Sequence, residues 1–357
     1  MTILTHDFAT PRGWRGPHLQ TIRSRVVRRR WCLDDLGDRR DLLVALSDGT
    51  PDRVMVTLHT PRDRPPATHL DAVVLVHGMG GSAESHYVSA TATGLLRAGY
   101  RVARVDLRGA GRSLEHSTNL YHGGRSDDIR AVLGTLALAL SVRRGPTGDD
   151  SGGLALVGFS LGGNVTLKTL GEPLRGIPLR AGVAVSTPLD LAVGAEHLHH
   201  VLFGAYERAL LQGLRKAALA DPVALSDLER RLVRRVQRIE EFDDVITARR
   251  NGWRDAAEYY EVNSSIRFLP GIRTPTLIIH ALDDPMVPAG PYLSVDWRAL
   301  ERDGFVQRAI TPHGGHVGFH ERDSTLPWYV GRITSFLDRL GSATSAPTSV
   351  PVTRPPR

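Results

Sequence analysis

Gly153-Leu154-Ala155-Leu156-Val157-Gly158-Phe159-Ser160-Leu161-Gly162-Gly163 is the stretch on which the reading of this chain turns. Leu154 to Val157 is a short apolar run, the pattern of a strand buried on both faces. It runs into Gly158-Phe159-Ser160-Leu161-Gly162, a G-x-S-x-G match, and Asn164-Val165-Thr166-Leu167 continues with helical character. Strand, sharp turn and helix around a serine are the context of a nucleophile elbow. Glycines on either side remove Cβ atoms that would clash as the turn closes on a strained serine. The helix start beneath the hydroxyl would offer backbone N–H groups to an oxyanion.

Such a serine needs a base, and the base needs a carboxylate. After a later apolar run, Thr276 to His280, come Asp283 and Asp284; after the last comes His313-Gly314-Gly315-His316-Val317-Gly318. Ser, Asp, His is the chain order of α/β hydrolases. Asp284 is preferred as the acid because Asp-x-x-Val-Pro is its usual continuation in this fold, with Asp283 as the alternative. His316 is the candidate base, since two preceding glycines free its loop to cross the sheet; His313 and His320 read as ordinary loop residues. The run Ala72 to Val76 ends in His77-Gly78-Met79-Gly80-Gly81-Ser82. This glycine-rich loop lacks the Lys-Ser/Thr of a P-loop and is not G-x-G-x-x-G, so no nucleotide cofactor is expected. It reads as an H-G-x-x-G loop, giving Met79 and Leu161 as the candidate oxyanion N–H donors.

Composition bounds the rest. The chain has 357 residues, 41% hydrophobic, enough for one large domain with an insertion. Its formal charge is +7, but arginines are spread among 38 acidic residues and no nucleic-acid module is present, so no nucleic-acid partner is expected. Cys32 is the only cysteine, which excludes an internal disulfide. The N-terminus has no basic region followed by an apolar one, and the longest apolar stretch, Ala131 to Val142, is about half a bilayer span. A cytoplasmic location is expected. His313, His316 and His320 are separated by glycines, and His197, His199 and His200 are spaced i, i+2, i+3, so no metal is expected.

Along the chain, residues 1–40 form a basic segment in which Pro17-His18-Leu19-Gln20-Thr21 predicts nothing chemical. Arg23, Arg25, Arg28, Arg29 and Arg30 there suit a solvated edge or weak contact with anionic lipid. Leu42–Leu46 and Val54–Leu58 alternate as a hairpin. Strands alternating with helical segments then predict an α/β fold, a mostly parallel twisted sheet with helices on both faces. Residues 41–189 and 263–341 are the two parts of this core. Residues 190–262 are a helical cap, helical from Ala195 to about Arg238, with Leu198, Val201, Leu202, Ala205, Ala209 and Leu210 on one stripe. Residues 342–357, rich in Ser, Thr and Pro, read as a disordered tail.

With these residues in place the chain resembles the YheT-like branch of the α/β-hydrolase superfamily, the AB hydrolase 4 family, from Pro17 to about Leu340. The resemblance is carried by Pro17 to Thr21, His77-Gly78 with Gly81-Ser82, Tyr121-His122 with Asp127 to Arg130, Gly158 to Asn164, Tyr259-Tyr260 with Ser264-Ser265, Asp283 to Pro285, and Gly314 to Phe319. Met79-Gly80 stands where Leu-Thr is common, and Arg249-Arg250-Asn251 replaces a small residue or proline before Gly252-Trp253. Neither removes a catalytic group. The resemblance implies a carboxylesterase, with relatives acting on short- to medium-chain esters, monoacylglycerols or phospholipids. Acyl transfer to an alcohol at the same site, or a silent binding protein on this fold, are the alternative readings.

Overall fold

Period-two patterning makes the hairpin: β1 (Gly37–Ala45) and β2 (Arg53–Pro61) pair antiparallel, with Val44 opposite Val54. The computed structural model in which this is seen describes residues 8–344, apart from 28, 64–66, 68 and 143–151. The apolar runs become β3 (Ala72–Val76), β4 (Val102–Val105), β5 (Leu154–Phe159), β6 (Leu179–Val185), β7 (Thr276–Ala281) and β8 (Val306–Thr311). The eight strands lie in the order β1-β2-β4-β3-β5-β6-β7-β8. β2 runs antiparallel to β4, and every pair from β4 to β8 is parallel.

Alternation within each buried strand feeds two cores. Val74, Val76, Leu154 and Leu156 pack with Ile129, Val132 and Leu136 of α3 (Ser126–Ala139) and Val165 of α4 (Leu161–Gly171). Val73, Leu75, Ala155 and Val157 face the other way, against Val88 and Leu95 of α2 (His86–Arg97) and Ile333 and Phe336 of α12 (Trp328–Thr344). The predicted sheet with helices on both faces is therefore present. The glycine-rich loop, the Ser160 turn, the Asp283-Asp284 loop and the His316 loop follow β3, β5, β7 and β8. They meet at the carboxyl ends of parallel strands, where open α/β sheets bind ligands.

Between β6 and β7 the chain is helical, but the single apolar stripe expected from Leu198 to Leu210 is broken. α5 (Leu191–His200) begins on an Asp190 side-chain cap that accepts from the Val193 N–H at 3.1 Å. It ends in a kink in which Leu202 and Phe203 take positive φ values of 47° and 53° before α6 (Ala205–Ala218) starts. Leu202 therefore leaves the apolar stripe for solvent, and Phe203 is 92% exposed. Ser226 restarts the chain as α7 (Asp227–Arg235) through a reciprocal capping box with Glu229. α8 (Ile239–Phe242), one wide turn of π-helix over Asp243–Ala248 and α9 (Ala256–Asn263) complete the insertion. Leu211, Leu214, Val233, Ile239, Phe242 and Ile246 give it an apolar centre of its own.

Two further differences are local. The helix expected near Tyr292–Glu301 is two short ones, α10 (Gly290–Ser294) and α11 (Trp297–Arg302), because extended Val295 ends the first and the Asp296 side chain caps the second. The basic N-terminal segment is not merely an edge. Pro17–Val26 forms α1, which buries Gln20. Arg28, most of the loop expected over residues 145–152 and tail residues 345–357 lie outside the described residues.

Candidate active site

Ser160 sits between β5 and α4 with φ 52° and ψ −123°, a region L-residues rarely occupy. The turn closes so tightly that a Cβ at Gly162 would lie 2.6 Å from the Val76 carbonyl oxygen, and one at Gly158 would strike the Gly162 carbonyl. Ser160 N–H donates to the Val185 carbonyl at 2.9 Å, fixing the turn to β6. Its Oγ is 3.0 Å from His316 Nε2. His316 Nδ1 is 2.8 Å from Asp284 Oδ2 and 3.1 Å from Oδ1. With the proton assigned to Nδ1, imidazole donates to the carboxylate and accepts from the serine.

Asp284 is buried. Burial alone would raise its carboxyl pKa. The charge and hydrogen bond of His316, the neighbouring His280 and the Met286 N–H outweigh that and hold it below the ordinary value. Its Oδ1 accepts from Met286 N–H at 2.8 Å and Val287 N–H at 3.0 Å. Asp283 does something else: its Oδ1 accepts from Gly315 N–H at 2.9 Å and its Oδ2 lies 3.3 Å from His313 Nδ1. Of the two aspartates only Asp284 touches His316, and Asp283 fastens the loop that carries it.

That loop is tied down by side chains from several elements. His316 N–H donates to Thr21 Oγ1 at 2.9 Å, Val317 N–H to Ser186 Oγ at 3.1 Å, and His320 N–H to Gln20 Oε1 at 2.6 Å. Val317 and Phe319 take positive φ values of 52° and 43°, a strain these anchors sustain. Gly315, at φ 61°, is required by α1: a Cβ there would sit 2.5 Å from the Pro17 carbonyl oxygen. The three histidines of this segment occupy three settings. His313 is with Asp283, His316 with Ser160 and Asp284, and His320 is buried beside Arg23 and Ser24.

The glycine-rich loop abuts the serine, so that a Cβ at Gly78 would lie 2.8 Å from Ser160 Cβ. Two phenols hold it: Tyr87 Oη accepts from Gly78 N–H at 2.9 Å, and Tyr121 Oη from Gly80 N–H at 2.6 Å. His77 Nε2 accepts from Leu107 N–H at 3.1 Å, so Nδ1 carries the proton and donates to the Gly78 carbonyl at 2.8 Å. Burial depresses the His77 pKa, consistent with a neutral ring. Asn164 links the serine helix to the insertion: its amide donates to the Gly123 and Asn263 carbonyls and its oxygen accepts from Ser265 N–H. The roles of Thr21, Gln20, Tyr87 and Asn164 have no local signature.

Above Ser160 lies a cavity of about 310 Å³. Met79, Leu161 and His316 line it with Thr21, Ile22, Ser24 and Arg25 of α1 and Leu191, Leu198 and Leu210 of the insertion. The N–H groups of Met79 and Leu161 donate to no other group among the described residues. A serine hydroxyl paired with an imidazole, beside two uncommitted N–H donors and an apolar hollow, can carry out acyl transfer.

The sequence profile of the alpha/beta hydrolase fold matches residues 71–323. The chain is also 31% identical to the YheT protein of Escherichia coli (strain K12), over 93% of each chain. It is a YheT-like α/β hydrolase. This YheT-like chain is 27% identical to a monoacylglycerol lipase of Saccharomyces cerevisiae over 74% of its length, and spans 58% of that protein. In fold it is similar to the esterase Pf2001 of Pyrococcus furiosus, with TM-score 0.54 at 17% identity over 94% of this chain and 98% of that one. The YheT-like chain thus belongs with the esterase- and lipase-type hydrolases. Among its described residues no helix is long and apolar enough to cross a membrane.

Proposed function

We propose that this protein is a serine carboxylic ester hydrolase acting on short- to medium-chain acyl esters, lipid esters among them. The observation that carries the reading is the relay from Ser160 Oγ through His316 to Asp284, at 3.0 and 2.8 Å, beneath a largely apolar cavity. Ser160 Oγ attacks the ester carbonyl carbon while its proton passes to His316 Nε2. Asp284 fixes the ring's tautomer and stabilises the imidazolium. The carbonyl oxygen becomes an oxyanion held by the Met79 and Leu161 N–H groups. Collapse breaks the bond to the alcohol, which leaves with the His316 proton, and an acyl-enzyme remains. Water deprotonated by His316 then releases the acid and restores the serine. Residues 190–262 serve as a cap whose packing sets the acyl length.

Hydrolysis of p-nitrophenyl esters of two to twelve carbons by the parent and Ser160→Ala tests this. Activity that peaks at one length and vanishes in the variant supports it; turnover unaffected by the substitution removes it. Stable product esters formed in alcohol-containing buffer would shift the assignment to acyl transfer. Exposed Arg25, Arg29 and Arg30 beside a 62% exposed Val26 support weak contact with anionic lipid. Liposome flotation unchanged by anionic lipid would contradict that contact.

A further inference from the structure

One wall residue of the cavity is out of keeping with the apolar side it belongs to. Asp243 opens the π-helical turn and lines the cavity together with Ile239 and Leu210. Turns of this kind are rare and cluster at functional sites. Asp243 is 7% exposed, and no cation pairs with it among the described residues. Two hydroxyls reach it: Thr247 Oγ1 donates to Oδ1 at 2.7 Å and Tyr260 Oη to Oδ2 at 2.9 Å. A carboxylate offers about four acceptor positions. Two are therefore left, at a wall whose other side chains are aliphatic or tyrosine. Burial pushes its pKa up to about 6, the sign of incomplete solvation. Acceptors left unmet in such a setting carry a desolvation cost that a donor arriving with the ligand would relieve.

We propose that Asp243, set by Tyr260 and Thr247, is a hydroxyl-recognition subsite at the insertion side of the cavity. On the ester-hydrolase reading, on which this rests, it selects esters bearing a free hydroxyl. That hydroxyl belongs either to the alcohol part, as in a polyol ester, or to the acyl chain, as in a hydroxyacyl ester. A third neutral hydroxyl extends the pair already in place from Thr247 and Tyr260.

Two readouts test it. Calorimetry compares binding of 1,8-octanediol with that of 1-octanol, and needs no turnover. Ester hydrolysis compares ethyl octanoate with 2-hydroxyethyl octanoate and with ethyl 8-hydroxyoctanoate, which separates the alcohol source from the acyl source. The parent is expected to favour the diol, and one of the hydroxylated esters, by about tenfold. Asp243→Asn is expected to bring both ratios close to one. Tyr260→Phe, which removes one donor and little volume, lowers them by about threefold and stands in if the first variant does not fold. A parent indifferent to the hydroxyl, or ratios unchanged in the folded variants, overturns the subsite. Diol selectivity that depends on Asp243 without any ester turnover keeps the subsite and removes the ester reading alone.

Discussion

Thr21 Oγ1 accepts a hydrogen bond from the His316 backbone N–H at 2.9 Å, across 295 residues of sequence. The same hydroxyl donates to the Pro17 carbonyl at 2.7 Å, so one side chain ties the first turn of α1 to the histidine loop. Gln20, the next residue back, accepts from His320 N–H and donates to the Trp14 carbonyl. The N-terminal helix thus holds the candidate base in place and forms part of the cavity wall above the serine.

Thr21→Val keeps the shape but removes the acceptor. We expect kcat to fall by about tenfold with a smaller change in KM, since a slight misplacement of a base is costly. Thr21→Ser should restore most of it. Steady-state kinetics on one ester with both variants decides the matter; equal loss in the serine variant would mean that only packing was disturbed.

The adjacent aspartates should separate cleanly. Asp284→Asn leaves imidazole without its charged partner and should lower kcat by about three to four orders of magnitude. Asp283→Asn keeps an acceptor for Gly315 but weakens the anchors on Gly315 and His313, and should cost about tenfold at most. Comparable losses in both, with melting temperatures unchanged, would contradict the division of roles.

Tyr121→Phe removes the acceptor for Gly80 N–H, next to the Met79 donor. A loop free to turn that donor away should lower kcat by about tenfold or more while KM stays similar, as for damage to an oxyanion hole. The kcat and KM of the variant on a single short-chain ester are the measurement.

Acid should destabilise the fold through its buried imidazoles. His320 is pushed down to about 3 by burial, with Arg23, His86 and Arg29 adding to it, and His280 to about 4 by burial against the pull of Asp284. In the unfolded chain both titrate near pH ~6.5. The unfolded state therefore binds more protons below that value, and stability rises with pH. The contribution is complete above pH ~6.5 and is lost as pH falls towards about 4 and then about 3. Melting temperature should drop over that range, and His320→Asn should flatten the slope. An unchanged slope would show that His320 is not part of it.

Much of this architecture was legible because it is local. The strand, turn and helix around Ser160 lie within a single run of sequence, and apolar runs with period-two faces announce a sheet buried on both sides. Chain order singled out His316 and an aspartate. It could not choose between Asp283 and Asp284 by chemistry, because identical neighbours differ only in which way the turn aims each carboxylate. The roles of Thr21, Gln20 and Asn164 were opaque for the opposite reason: their hydrogen bonds reach segments far away in the chain. The break at Leu202 and Phe203 was hidden too. Both residues suit a helix, and their left-handed backbone is imposed by the junction of α5 with α6.

The most direct test of the account is covalent. An activated organophosphate such as diethyl p-nitrophenyl phosphate, given to the intact protein, is attacked by a serine whose proton a paired imidazole can take, and by little else. Peptide mass spectrometry should find one diethylphosphoryl group, on Ser160, accumulating in step with loss of esterase activity and absent from His316→Ala. Activity that survives full labelling of Ser160, or is lost with the label on another residue, would contradict the claim that Ser160 is the nucleophile.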